Sequence, residues 1–300
     1  MSASLSAQSL YSEKPWTPMT PAFEDLPLAP EGPPGNAWGR FGDQDELGTL
    51  NLITPDTIVR AAKEIQTGVR ISLDWPLSKP SHPSFGRKGF QQEIVHRSPN
   101  CINDDILTFN TQGSSQWDGF RHYGKNDFIR STWAATKHLE IQPLSSTPIT
   151  VESLEAMVKD FQIEIHPGDI LLIRSGFTAA YNELNEQERI NLAQRPSPDF
   201  IGVEATENML RWLWKYQFGA VAGDAPSFER APIRGPHADP RYNLHEWVLA
   251  GWGCPIGELF DLERLSQHCR ATGRYTFFLS SVPLKVPGGV ASPPNAIAVF

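Results

Sequence analysis

Asp118 and His122 stand four residues apart in segment 112–122, with Gln112, Ser114, Ser115 and Gln116 upstream and the aromatic Trp117 and Phe120 flanking the aspartate. A buried carboxylate near an imidazole is costly unless it binds a cation, a proton or a substrate. Trp117 would exclude water and raise the carboxylate's basicity or its grip on a cation. A loop aspartate can also cap a helix, and a single histidine can simply pack, so the pair admits a purely structural reading too. Far downstream, His245 and Glu258 bound a mostly apolar segment whose Gly-Trp-Gly turn at 251–253 could bring both to one point. A histidine at a helix start and a capping glutamate would look the same. Asp224 follows the short apolar run 220–223, and ends of α/β strands often carry site residues. An aspartate just before Ala225-Pro226 also suits a turn. His237, in the loop 234–240, either covers a site or stands in solvent.

These residues need elements to hold them. Thr54 and Pro55 predict a helix start, with apolar residues at helical spacing as far as Ile65 and a stop near Gly68. Residues 69–73 read as a strand, and 106–109 alternates and leads into the 112–122 loop. A second helix begins at Val151. The continuous apolar run 170–173 predicts a strand buried on both faces. Residues 203–216 read as a helix with Leu210, Leu213 and Trp214 on one side, and 220–224 as a short buried strand. Residues 275–279, and then 283–286, complete the expected strands. Strands and helices alternate only in the second half, so a single α/β domain over 37–300 is expected. The Ser- and Pro-rich residues 1–36 predict an arm wrapping the body or a partner subunit.

Composition narrows the function. The chain has 300 residues, a formal charge of −8 and no basic cluster, which argues against nucleic acid and anionic membranes as partners. No apolar run approaches the ~18 residues of a spanning helix. The N-terminus lacks the pattern of a secretory signal. Three cysteines without paired spacing predict no disulfide framework and a reduced, cytoplasmic setting. GxGxxG, GxxxxGK[ST], GxSxG, CxxC and HExxH are all missing, which points away from a nucleotide cofactor, a nucleophile-elbow hydrolase and a zincin.

Taken together, the blocks resemble the cyclase family that includes bacterial kynurenine formamidase and isatin hydrolase. That family carries H-x-G-T-H-x-D-x-x-x-H and, much later, a His followed about a dozen residues on by a Glu. Asp118 and His122 fall on the Asp and last His of the motif, and His245 and Glu258 on the downstream pair. Further blocks follow in order: Trp38-Gly39, 48–51, 168–176, 223–227 and 287–296. The arm before residue 37 is left out. The resemblance implies a swivelling β/β/α fold with a mixed, barrel-like core and flanking helices, usually as a homodimer or homotetramer. It also implies a divalent metal, Mn or Zn, that activates water against a small amide or lactone, with the last His as general base or acid. Both leading family histidines are glutamines here, Gln112 and Gln116, and a neutral amide oxygen is a poor ligand beside imidazole.

Two enzymatic readings follow. In the first, Asp118, His245 and Glu258 hold the metal, His122 shuttles the proton, and Trp117 and Phe120 wall a small cyclic or acylated substrate. In the second, a metal-free cyclase, dehydratase or isomerase of secondary metabolism uses His122 and Asp118 as acid and base, while Gln112 and Gln116 donate N–H groups to a carbonyl or enolate oxygen. A binding protein on the same fold is the third, non-enzymatic reading.

Overall fold

The computed structural model describes residues 20–122, 142–197, 199–235 and 237–300. Its helices begin where the sequence supplies caps. Thr54 accepts from the Thr57 backbone at the head of α1 (Pro55–Ala62), and Thr150 from Ser153 at the head of α2 (Val151–Asp160). Two short helices follow, α3 (Phe177–Glu183) and α4 (Glu186–Ala193), the second with an Asn185–Glu188 capping box. Thr206 caps α5 (Glu207–Tyr216), and Gly273 closes α6 (Glu263–Thr272) in a left-handed turn. Two boundaries differ from the sequence reading. Helix α1 stops at Ala62 rather than Ile65, because Thr67 and Gly68 turn their N–H groups to the Phe300 carbonyl. Helix α5 starts at Glu207 rather than Val203, because Val203 pairs as a strand.

Twelve strands run in chain order: β1 (Arg70–Ser72), β2 (Gln91–His96), β3 (Asn103–Thr108), β4 (Gln116–Asp118), β5 (Pro148–Ile149), β6 (Ile170–Ile173), β7 (Gly202–Val203), β8 (Ala220–Gly223), β9 (Ile256–Glu258), β10 (Phe278–Ser281), β11 (Ala291–Ser292) and β12 (Ala296–Val299). The central sheet has the order β11-β4-β9-β8-β6, with β6, β8 and β9 parallel and β4 antiparallel to β9. A second sheet is β1-β12-β10, and β2–β3 and β5–β7 form separate pairs. The protein is thus mixed α/β, and its described sheets are open. Strand β6 is the edge of the central sheet and only Ile173 in it is buried, so its apolar run is not covered on both faces as expected. Residues 283–286, expected as a strand, form none. The nearby pairing is made by β11 and β12 instead, and Leu284 and Val286 are exposed.

The central sheet divides two cores. Val221 and Ile256 face a core that takes Leu210, Leu213 and Trp214 from α5, whereas Ala222 faces one built on Leu73, Phe260, Leu265 and Phe300. Burial of each such large side chain contributes about 1.5–3 kcal/mol. Period-2 alternation along β8 therefore fixes which side of the sheet each neighbour meets. Of the arm expected over 1–36, residues 1–19 lie outside the described residues. From residue 20 it packs on the body: Phe23 stacks on Trp247 at 5.8 Å, and Trp214 donates to the Pro21 carbonyl at 2.9 Å. All three cysteines are unpaired, and no helix of the described residues is long and apolar enough to cross a membrane.

Candidate active site

The antiparallel register of β4 on β9 sets Gln116 opposite Glu258 and Asp118 opposite Ile256. Alternation puts Gln116 and Asp118 on one face, both buried, with Trp117 on the other. The helical turn His245–Gly251 then delivers His245 from a distant stretch of chain. Its Nε2 lies 3.5 Å from Asp118 Oδ2 and 3.4 Å from Glu258 Oε1. Loop 112–122 and segment 243–258, remote in sequence, thus meet in one place. His122 joins them: one ligand atom each from Asp118, His122 and His245 fall within 4.8 Å of one another.

Hydrogen bonds orient the group. His245 Nδ1 sits 2.8 and 2.7 Å from the two oxygens of Glu229, so that nitrogen carries the proton and Nε2 faces Asp118 and Glu258. Gln112 donates its amide to Asp118 Oδ1. Gln116 Nε2 donates to Glu258 Oε2 at 2.8 Å and to Gln112 Oε1 at 3.2 Å. The Phe228 backbone N–H donates to Glu258 Oε1 at 3.1 Å. Within this cluster, Asp118 Oδ2 and Gln116 Oε1 are buried without a hydrogen bond.

The electrostatics follow from this crowding. Burial alone would lower the pKa of His245, but Glu229, Asp118 and Glu258 together raise it well above the ordinary imidazole value. Burial, and then the neighbouring Asp118 charge, raises Glu258. Burial lowers His122 against the pull of Asp118, which favours its neutral form.

The residues fit a divalent cation. Two ligands on a tetrahedral ion at about 2.1 Å stand roughly 3.4 Å apart. The separations of His245 Nε2 from Asp118 and Glu258, 3.5 and 3.4 Å, match that spacing and are long for a charge-assisted hydrogen bond, although the set whose ligand atoms all lie within 4.8 Å is Asp118, His122 and His245, and Glu258 joins it through His245 alone. A carboxylate behind a ligating histidine, as Glu229 stands behind His245, is the usual outer support of such a ligand. The unpartnered Asp118 Oδ2 supplies the open acceptor.

Other residues singled out in the sequence fall elsewhere. Trp117, expected to wall the substrate, is on the wrong face of β4. It packs on Phe260 and donates to Ser281 Oγ at 3.0 Å. Asp224 is fully buried, yet both its oxygens accept hydrogen bonds from Ser175 and Gly176, which ties down the start of α3. His237 pairs with Glu204 at 3.1 Å instead of reaching the cluster. Phe120 is exposed at 38%. The sequence reading missed Glu229. Its signal was a charged pair, Glu229-Arg230, placed between segments otherwise rich in apolar residues, and both members are buried.

Residues 27–230 match the family model described as "Putative cyclase", starting ten residues ahead of the expected boundary and ending before His245. A solved structure described as a novel cyclase is 29% identical, covers 88% of this chain and 99% of its own, and superposes with a TM-score of 0.73. Isatin hydrolase A from Ralstonia solanacearum is 16% identical over 82% of this chain and 98% of its own, with a TM-score of 0.59. An isatin hydrolase bound to the product analogue thioisatinate is 12% identical over 82% of this chain and 99% of its own, with a TM-score of 0.57. At such identities the two isatin hydrolases share the fold. No curated protein matches. With well over half its length matched by the family model, and with the fold of a solved cyclase, the chain belongs to the cyclase family.

Proposed function

We propose that this protein hydrolyses a C–N or C–O bond in a small cyclic or acylated compound, an amide or a lactone, with a divalent ion, Mn or Zn, held by Asp118, His245 and Glu258, and with His122 beside them as the proton carrier. The observation that carries this reading is Asp118 Oδ2: a buried carboxylate oxygen with no hydrogen-bond partner, aimed at His245 beside a second carboxylate. A divalent ion there would supply Lewis acidity toward a carbonyl oxygen and a lowered pKa for water. The chain's own groups do the rest. Glu229 holds the Nδ1 proton of His245 and so keeps Nε2 turned inward. Gln112 and Gln116 clamp Asp118 and Glu258 by their amide N–H groups. His122, favoured neutral, takes the proton from attacking water and returns it to the departing nitrogen or oxygen.

The metal-free reading asks Gln112 and Gln116 to donate to a substrate oxygen. Both Nε2 groups already donate to carboxylates, and that of Gln116 donates to Gln112 Oε1 as well, which favours hydrolysis. The swivelling β/β/α arrangement, a homodimer or tetramer and a reducing cytoplasmic setting belong to the same proposal. Exposed Ile94, Ile106 and Leu107 on the β2–β3 pair, and three unpaired cysteines, are what supports the last two. Elemental analysis of protein purified without chelator, with turnover of N-formyl aryl amides and aryl lactones before and after EDTA, is the test. Bound Mn or Zn near one equivalent and loss of turnover on chelation are expected. Substoichiometric metal with chelator-resistant turnover would hand the site to the metal-free reading.

A further inference from the structure

Beside the cluster runs a cleft lined by Phe85, Arg87, Gln112, Tyr181, Pro226 and Leu259. It borders the reacting groups through Gln112, whose amide holds Asp118, and through Leu259, next in sequence to Glu258. Arg87 is the charged residue of this lining. Its Nη1 donates to the Gln112 carbonyl at 2.8 Å, and its guanidinium lies 4.8 Å from the centre of the Phe85 ring. Among the described residues it has no acidic partner within salt-bridge distance, and its Nε and Nη2 make no hydrogen bond to them. The guanidinium is therefore held in place at one corner while its remaining N–H groups are left to a ligand. Its positive charge is also felt at His122 and at Glu258.

Phe85 stands at the mouth in an unusual way. Its φ is 61° and that of Gly86 is 67°, so two successive residues take the left-handed conformation. For a bulky aromatic residue this costs energy that the surroundings must offset. The outcome is a phenyl ring 47% exposed at the cleft, edge-on to Phe200 at 5.6 Å. Tyr181 also borders the cleft but is almost wholly buried, so Phe85 is the aromatic ring presented to a planar ligand.

We infer that Arg87 and Phe85 form a binding subsite for a carboxylate carried on a planar, aromatic substrate, and that this subsite orients the substrate's amide or lactone carbonyl toward Asp118, His122 and His245. The inference rests on the hydrolase reading for the word substrate, though the anion subsite stands on its own geometry. Charge sets the class of ligand. Asp118, Glu229 and Glu258 crowd the cluster with acid, which repels a dianion such as phosphate, while one guanidinium edge suits one planar carboxylate. A neutral ring would leave those N–H groups unused.

Binding of benzoate and of acetophenone, similar in shape and neither hydrolysable, tests this on the protein as purified. Calorimetry should show benzoate binding at least about tenfold tighter, the scale of one charge-assisted hydrogen-bonded pair. Arg87→Gln should erase that preference with acetophenone unaffected, and Arg87→Lys should keep part of it. Equal affinity for the two ligands in the parent protein would overturn the inference. So would a preference that persists in Arg87→Gln, because the carboxylate would then sit on the Asp118/His245 cluster. Should Arg87→Gln fail to fold, Arg87→Lys carries the same comparison, and an undiminished preference there overturns it. If no amide or lactone is turned over while the preference and its loss are seen, the hydrolase reading fails and the subsite remains.

Discussion

Two aspartates among the described residues are almost wholly buried, and they live in opposite circumstances. Asp224, at the end of β8, accepts hydrogen bonds at both oxygens from Ser175 and Gly176. Asp118, at the end of β4, has Gln112 on one oxygen and no hydrogen bond on the other, which faces the His245 imidazole at 3.5 Å. Both sit where a strand of the central sheet gives out. Burial and position therefore do not separate a structural carboxylate from a reactive one, but hydrogen-bond satisfaction does. The imidazoles divide the same way. His237, 38% exposed, meets Glu204, whose other oxygen accepts from the Val151 N–H, while His245, 8% exposed, is turned by Glu229 toward two further carboxylates.

The largest effect should come from Asp118→Asn. Turnover and metal uptake should fall more than about 100-fold, the upper range for losing a mere supporting residue. Metal-free protein should melt almost unchanged, since Asp118 Oδ2 has no hydrogen bond to lose and the His245 contact given up is offset by relief of the repulsion between Asp118 and Glu258. Asp224→Ala should do the reverse: a loss of about 2–4 kcal/mol in urea unfolding, from stranded N–H groups of Ser175 and Gly176, with activity per folded molecule kept. Were Asp118→Asn the variant that unfolds, the contrast between the two aspartates would collapse. Glu229→Gln should weaken metal binding about 10–100-fold by titration, because His245 loses its orienting partner. A pH profile sharpens the assignment of His122. A proton acceptor works deprotonated, and burial lowers this imidazole from its ordinary 6.5, so the acid limb of kcat/KM should lie below 6.5 and activity should fall as pH drops through it. An acid limb above 6.5 would assign the step to another group. His237→Ala should matter least, under about 1 kcal/mol in thermal unfolding and with unchanged turnover, as expected for a half-exposed pair.

Much of the scaffold was legible because local chemistry decides it. Thr54 accepts from the Thr57 backbone and Pro55 suits a first helical turn, so α1 begins on its own local chemistry, and the four apolar or small residues Ala220–Gly223 have the length and burial of a central strand. The meeting of 112–122 with 243–258 was legible only through the family pattern. What failed was information that lives in pairing. Nothing in Ile170–Ile173 says that the strand will lie at an edge, and nothing in 283–286 says that 291–299 will be the better partner. The direction of Trp117 was available from alternation once 116–118 was known to be a strand, and it was missed because that segment reads as a loop. Glu229 stayed hidden because its partner lies 16 residues away and no spacing rule links them.

Strand β4 carries its polar side chains one residue either side of an indole that belongs to the opposite core. A slip of β4 by one residue along β9 would rotate that indole into the acidic chamber and push Gln116 and Asp118 into hydrocarbon. One hydrogen-bonded register, Gln116 opposite Glu258, therefore decides at once which side of the sheet is polar and which is greasy.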